Sequence, residues 1–174
     1  MRKRWWLLAG LLVGVGAASR AEPLPSQLEG SWRVTRILAM NKGACWTREQ
    51  AAPMVGSVLS YHASSMRWRG GEVEVEEIDT RDVSAQEFTQ EANGSNTFAQ
   101  LGIHTAKVLE VDMQHEDMDI TGATTEVPGD SVLMAGPGRI VVSACGVYFE
   151  ARRTGTAVAS SAPAGTAAET TARP

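Results

Sequence analysis

A chain of 174 residues is long enough to bury one hydrophobic core and has the usual size of a single domain. It carries 16 basic and 20 acidic residues, a net charge of −4, and an acidic surface repels phosphate backbones, so the composition argues against nucleic acid as a partner. The same acidity would favour cations or a basic protein, although it also serves simply to keep a protein in solution.

The first 21 residues have the order of a cleavable secretory signal peptide. Three basic residues precede an apolar run from Trp5 to Ala18, and the small residues Ser19 and Ala21 predict cleavage before Glu22. The run is about 14 residues long, short of the roughly 20 that cross a bilayer, so a retained anchor is the weaker interpretation. We predict a periplasmic or secreted product with no membrane anchor after cleavage. Losing four basic residues leaves 12 basic against 20 acidic, a net charge of −8.

Period-two alternation of apolar and polar residues dominates the chain from residue 31 to residue 153 and predicts β-strands. In chain order the predicted strands cover residues 31–40, 58–62, 66–69, 72–78, 107–113, 118–121, 131–134 and 139–153. Gly70-Gly71 indicates a two-residue hairpin turn, and Val73 and Val75 are expected to face inward in the strand after this turn.

Two short helices are predicted by capping boxes, in which a hydroxyl and a side chain three residues later satisfy free backbone amides. They begin after Thr47 and Ser84, and Asn93-Gly94 is expected to end the second. Short strands with few helices predict an all-β antiparallel barrel over residues 25–153, with a β-sandwich as the alternative. Residues 154–174 are rich in Ala, Thr, Ser and Pro, a composition typical of a disordered tail.

Cys45 and Cys145 are the two cysteines of the chain, and an even count in an oxidising compartment favours one disulfide. Neither cysteine has a Cys or His neighbour at metal-ligand spacing, so a zinc site is disfavoured.

Leu28-Glu29-Gly30-Ser31-Trp32 at the head of the first strand resembles the Gly-x-Trp motif of lipocalins and related calycins. In that family the Trp closes the barrel floor beneath a basic side chain of the last strand, which implies that Arg152 or Arg153 stacks on Trp32. Partners in an antiparallel pair have residue numbers with a constant sum. Trp32 with Arg152 gives 184 and Cys45 with Cys145 gives 190, so pairing of the first and last strands would bring both couples together.

The resemblance also implies that residues 41–53 form a lid over the open end of the barrel. The candidate ligand contacts are Trp46, Met54, Tyr61 and Trp68. The alternative is that these residues are ordinary core side chains.

Gly129-Asp130-Ser131 and Asp112-x-x-His115 match two motifs of the GDSL hydrolases. Their order along the chain is reversed, that family has an α/β fold, and a Gly-Asp pair before a strand is typical of a turn. We therefore predict that the protein is not an enzyme and has no cofactor.

Asp117-x-Asp119-x-Thr121-Gly122 resembles the first half of an EF-hand calcium loop. The position that needs a bidentate Glu is Pro128, and no helices are predicted to flank the segment. Asp117, Asp119 and Glu126 remain weak candidates for a different metal site, with a solvated acidic hairpin as the alternative.

Two functions fit these features. The first is an exported lipocalin-like protein that binds a small apolar or amphipathic molecule inside the barrel. The second is an exported protein-binding module, an inhibitor or accessory protein, whose barrel is filled by its own side chains. The six methionines of the mature chain suit both, since methionine lines pockets and fills cores.

Overall fold

The computed structural model describes residues 22–115 and 128–155. Within them, nine antiparallel strands form one continuous sheet that curls into a half-barrel. The strands are β1 (Gly30–Met40), β2 (Val58–His62), β3 (Ser65–Trp68), β4 (Gly71–Glu74), β5 (Glu77–Ser84), β6 (Lys107–Gln114), β7 (Ser131–Gly136), β8 (Arg139–Ala144) and β9 (Val147–Arg153). The predicted signal peptide, the predicted strand 118–121 and residues 156–174 of the predicted tail lie outside the described residues.

The strand order across the sheet is β4-β3-β2-β1-β9-β8-β7-β6-β5, so the first and last strands pair at its centre. This confirms the antiparallel pairing that the sums of residue numbers predict. The sum rises from 185 at Trp32 and Arg153 to 187 at Met40 and Val147, because two bulges shift the register.

The two end strands of the sheet, β4 and β5, follow each other directly in the chain. The Val75 amide donates to the carbonyl of Ser64, before β3, and the next amide, Glu76, donates to Gln114 at the end of β6. The prediction of one strand over 72–78 is therefore wrong. The alternation continues through the segment, but its pairing partner changes from β3 to β6.

The predicted strand 139–153 is likewise two strands, β8 and β9, joined by a tight turn at Cys145 and Gly146. Both turn residues have positive φ, 52° and 72°. The sequence did not predict this turn because β8 is buried on both faces, so its residues form a continuous apolar run.

Both predicted capping boxes are present. Thr47 caps α1 (Arg48–Ala51), which continues into a 3-10 turn (Ala52–Met54), and Ser84 caps α2 (Ala85–Glu91). The predicted hairpin between β3 and β4 also forms, but its turn residues are Arg69 and Gly70 rather than Gly70 and Gly71. None of the helices in the described part of the chain has the length and apolar character that a membrane crossing requires.

The concave side of the sheet encloses the main core, and a second cluster packs on the convex side. In this outer cluster α2 and the segment after it cover β5 to β8. Its buried members are Val83, Phe88, Phe98, Leu101, Ile103, Val108, Leu133 and Val141. This cover reaches β1 and β9 at Leu38, Ala39 and Tyr148, whereas within the described residues the other end of these two strands exposes arginines on the convex side.

Candidate functional site

The predicted disulfide joins the loop after β1 to the turn between β8 and β9. Cys45 and Cys145 are 100 residues apart in sequence, and their Cα atoms are 5.1 Å apart. The Cys45 amide also donates to the Cys145 carbonyl at 3.0 Å. Closing a loop of this length restricts the unfolded chain, so the bond fixes the predicted lid region to the end of the sheet.

Trp32 lies at the opposite end of the sheet beneath a basic side chain. The Arg153 guanidinium is 4.3 Å from the Trp32 ring centre and donates to the carbonyls of Gln27 and Glu29. Trp32 Nε1 donates to the Leu28 carbonyl at 2.7 Å. Of the two arginines considered from the sequence, Arg153 therefore stacks on the ring, whereas Arg152 projects from the other face of β9.

The four candidate ligand contacts belong to the core or pack against it. Met54, Tyr61 and Trp68 are 2%, 1% and 5% exposed, and Trp46 is partly buried against the same cluster. The Tyr61 hydroxyl donates to the Gly129 carbonyl at 2.9 Å, and burial raises the pKa of this tyrosine. Three of the four side chains are thus enclosed by neighbouring protein.

The interior between the described strands is occupied by side chains. A chamber large enough for a ligand would leave its lining open to contact with water, yet the core members expose almost none of their surface. Those that are no more than 1% exposed include Trp32, Val34, Leu59, Tyr61, Met66, Val111, Val132, Ile140, Val142 and Phe149. A groove of about 460 Å³ opens at the end of the sheet where Trp32 and Arg153 lie.

A row of arginines crosses the convex side at the centre of the sheet. Arg33 on β1 is paired with Arg152 on β9, which is paired with Arg139 on β8. Like charges placed directly opposite destabilise a sheet, so this row requires a negative charge nearby. Glu150, two residues before Arg152 on β9, supplies this negative charge.

Glu150 is buried at the middle of these arginines. Its carboxylate accepts hydrogen bonds from Arg139, Arg152 and Arg36 at 2.9, 3.0 and 3.1 Å. Burial by itself would raise the pKa of Glu150, but hydrogen bonds from the three arginines outweigh it and lower the pKa to about 2. The carboxylate is therefore ionised at neutral pH.

A β-bulge between Val34 and Arg36 explains how Arg36 reaches Glu150. The extra residue breaks the alternation of β1, so the consecutive residues Thr35 and Arg36 both contact this carboxylate. Sequence reasoning missed the cluster for this reason, since strict alternation places Arg36 on the concave side. The pairing of Arg33 with Arg152 could have been found by adding one residue to the predicted register.

We call Arg33, Arg36, Arg139 and Arg152, together with Glu150, the arginine face. Arg139 uses its donors within the protein. It donates hydrogen bonds to Glu150 and to the carbonyls of Leu101 and Gly102, and its side chain is 11% exposed. Arg36 and Arg152 are 62% and 53% exposed. With four guanidinium groups and one carboxylate, the face has a net charge of +3 within an acidic protein.

The opposite charge dominates β4, β5, α2 and β6, which we call the acidic side. These elements hold nine acidic residues and two basic ones. Arg81 lies among the carboxylates, bidentate to Glu91 at 2.7 and 2.8 Å and bonded to Glu110. Burial and the charge of Asp112 raise the pKa of Glu110, whereas the Arg81 hydrogen bond lowers that of Glu91.

The residues of the two hydrolase motifs are partly brought together. Ser131 is the pairing partner of Asp112 across β6 and β7, and His115 directly follows β6. Among the described residues there is no group of three or more side chains suited to holding a metal ion. The candidate ligands Asp117, Asp119 and Glu126 lie outside the described residues.

Comparison with family models, curated proteins and solved structures returns no match. The resemblance to lipocalins therefore stays a prediction based on Gly30-Ser31-Trp32 and the C-terminal strand. The features of this chain that bear on its function are the packed interior and the two oppositely charged regions outside it.

Proposed function

We propose that this chain is an exported protein-binding module with a filled barrel, whose outer surface contacts another extracytoplasmic protein. The packed interior carries the proposal. A carrier needs a chamber, and the side chains expected to line one, Met54, Tyr61 and Trp68, are at most 5% exposed. With the interior occupied, binding is assigned to the exterior.

The proposal includes closure of the half-barrel into a lipocalin-like barrel. Support comes from Val75 and Glu76, consecutive residues whose amides bond to opposite ends of the sheet. Closure would leave no unpaired edge, so a partner would bind through side chains rather than by adding a strand.

Export is supported by the N-terminal sequence and by the disulfide. Disulfides form and persist in oxidising compartments, and Cys45–Cys145 is positioned to join two loops at one end of the sheet. The compartment we propose is the periplasm or the extracellular space.

Native mass spectrometry of protein exported by its own host separates this proposal from the carrier function. We expect the mass of the cleaved, oxidised chain alone, with no thermal shift when a lipid panel is added. A co-purifying apolar compound that is released by solvent extraction and restores a thermal shift on return would overturn the filled barrel and favour the carrier.

Cross-linking in the host then tests for a protein partner. A photoreactive residue introduced at exposed positions of the outer surface should give discrete adducts with one extracytoplasmic protein. Probes at Arg36 and Lys42 sample the arginine face and a position outside it. Absence of discrete adducts from every outer position would contradict the proposed function.

A further inference from the structure

The arginine face has more donors than the fold uses. Arg152 donates a hydrogen bond from Nε to Glu150, and Arg36 donates one from an Nη to the same carboxylate. Arg33 gives one Nη to the Gly56 carbonyl. Within the described residues, the remaining N–H groups of these three exposed side chains have no protein acceptor, whereas Arg139 uses all three of its nitrogens.

One buried carboxylate cannot neutralise four guanidinium groups. Arg139 is the least exposed of the arginines that bond Glu150, so the charges of Arg33, Arg36 and Arg152 remain in excess at the surface. Crowding of like charges costs stability that an incoming anion would recover. The planar fork of arginine suits carboxylates in particular, because two parallel N–H bonds match the two oxygens.

The spacing of the exposed arginines indicates the size of the ligand. Directly paired residues of neighbouring strands are about 5 Å apart, which sets the separation of the Arg33 and Arg152 backbones. Arg36 lies three residues along β1, about 10 Å from Arg33. Positions i and i+7 of a helix are about 10 Å apart on one side, so an acidic segment of about two helical turns is long enough to reach all three arginines.

A long polyanion fits less well. A chain that extends from the arginine face toward β6 and β5 approaches the acidic side, where nine acidic residues face two basic ones. Repulsion there limits the favourable contact to a short acidic segment.

We infer that the arginine face binds an acidic segment of a partner protein, with glutamate or aspartate carboxylates seated on Arg33, Arg36 and Arg152. This inference rests on the proposed function and adds the chemistry of the partner. Arg139 and Glu150 act as positioning residues, since they hold the exposed guanidinium groups without contacting the ligand.

Binding of a synthetic peptide tests the inference. The probe is a helical peptide with glutamates at i, i+4 and i+7, labelled for fluorescence anisotropy and compared with the same peptide carrying glutamines. The face variant is R33Q/R36Q/R152Q, which keeps the Arg139–Glu150 pair. The control K42Q/R48Q/K107Q removes the same charge from exposed positions elsewhere.

The glutamate peptide should bind at low salt and the glutamine peptide should not. The face variant loses three ion pairs with the peptide, so its affinity should fall about tenfold to a hundredfold. The control should change affinity less than the face variant. The variant R33K/R36K/R152K keeps the charge without the fork and should lose an intermediate amount. Urea unfolding of each variant shows whether a loss reflects binding or folding.

Three results would overturn the inference: no preference for glutamate over glutamine, an equal loss in the control, or tighter binding of a sulfated oligosaccharide than of the peptide. Failure of the wider proposal is distinguishable. If the host partner still cross-links to the face variant, the protein-binding function stands and only the acidic segment is rejected. If the wild type gives no discrete adducts, the function itself fails even where the peptide binds.

Discussion

The arginine face and the acidic side have the same arrangement with the charges reversed, since each places one charged group among groups of the opposite charge. On the first, three arginines bond Glu150; on the second, two carboxylates bond Arg81. The central groups differ in burial, since the Glu150 side chain is 6% exposed and that of Arg81 is 50% exposed. An ion pair in water contributes little to stability, but a buried charge that loses its partner is costly. The two clusters should therefore differ in their importance to the fold.

The largest expected effect is that of Glu150→Gln. The substitution leaves the buried Arg139 without its counter-charge and places three arginines together without a carboxylate, which should cost about 3–5 kcal/mol of the free energy of unfolding. Urea denaturation measures this loss. Arg81→Gln is the comparison variant and should cost less, because Arg81 and Glu91 are both about half exposed and only Glu110 is mostly buried. Equal losses for the two variants would remove the distinction between the clusters.

Acid should act on the same cluster through the low pKa of Glu150. The carboxylate has a pKa of about 2 in the folded protein against 4.5 for the free group. Because the folded pKa is the lower one, its contribution is fully present above pH 4.5 and is lost as the pH falls toward 2. Since one pKa unit corresponds to 1.36 kcal/mol, Glu150 contributes at most about 3 kcal/mol to the free energy of unfolding through this shift.

Denaturation curves from pH 6 down to pH 2 test this window. The difference in unfolding free energy between the wild type and Glu150→Gln should shrink as the pH falls through it. A difference that stays constant with pH would mean that Glu150 does not titrate at the depressed pKa.

The two clusters also show which parts of the structure can be predicted from the sequence and which cannot. Period-two alternation and capping residues located most of the strands and both helices, because these signals are local. The sums of residue numbers pointed to the pairing of β1 with β9. What local signals could not reveal is the bulge after Val34, which depends on how β1 packs against its neighbours and which turns Arg36 toward Glu150. The acidic side was visible as composition, but its central Arg81 was not.

A smaller effect is expected from the exposed pair at the centre of the acidic side. A double-mutant cycle of Arg81→Gln and Glu91→Gln should give a coupling of about 0.2–1 kcal/mol, the range of solvent-exposed pairs. The bidentate geometry favours the upper part of that range. A high salt concentration should reduce the coupling, since exposed charges are screened. Coupling of several kcal/mol that resists salt would show that Arg81 resembles Glu150 in importance.

The smallest expected effect concerns the two carboxylates that share Arg81. Burial, followed by the charge of Asp112, raises the pKa of Glu110 in the folded state, so its contribution to stability is present below its unfolded pKa and declines as the pH rises through the folded value. Hydrogen bonding to Arg81 lowers the pKa of Glu91, which reverses the sign. Relative to Glu110→Gln, the wild type should therefore be more stable at pH 4 than at pH 7, and relative to Glu91→Gln it should be more stable at pH 7.

Because Glu91 is half exposed, the difference in stability between the wild type and Glu91→Gln should stay below about 1 kcal/mol. Thermal or urea denaturation of both variants at the two pH values measures the signs, and the same sign for both would refute the division of roles around Arg81.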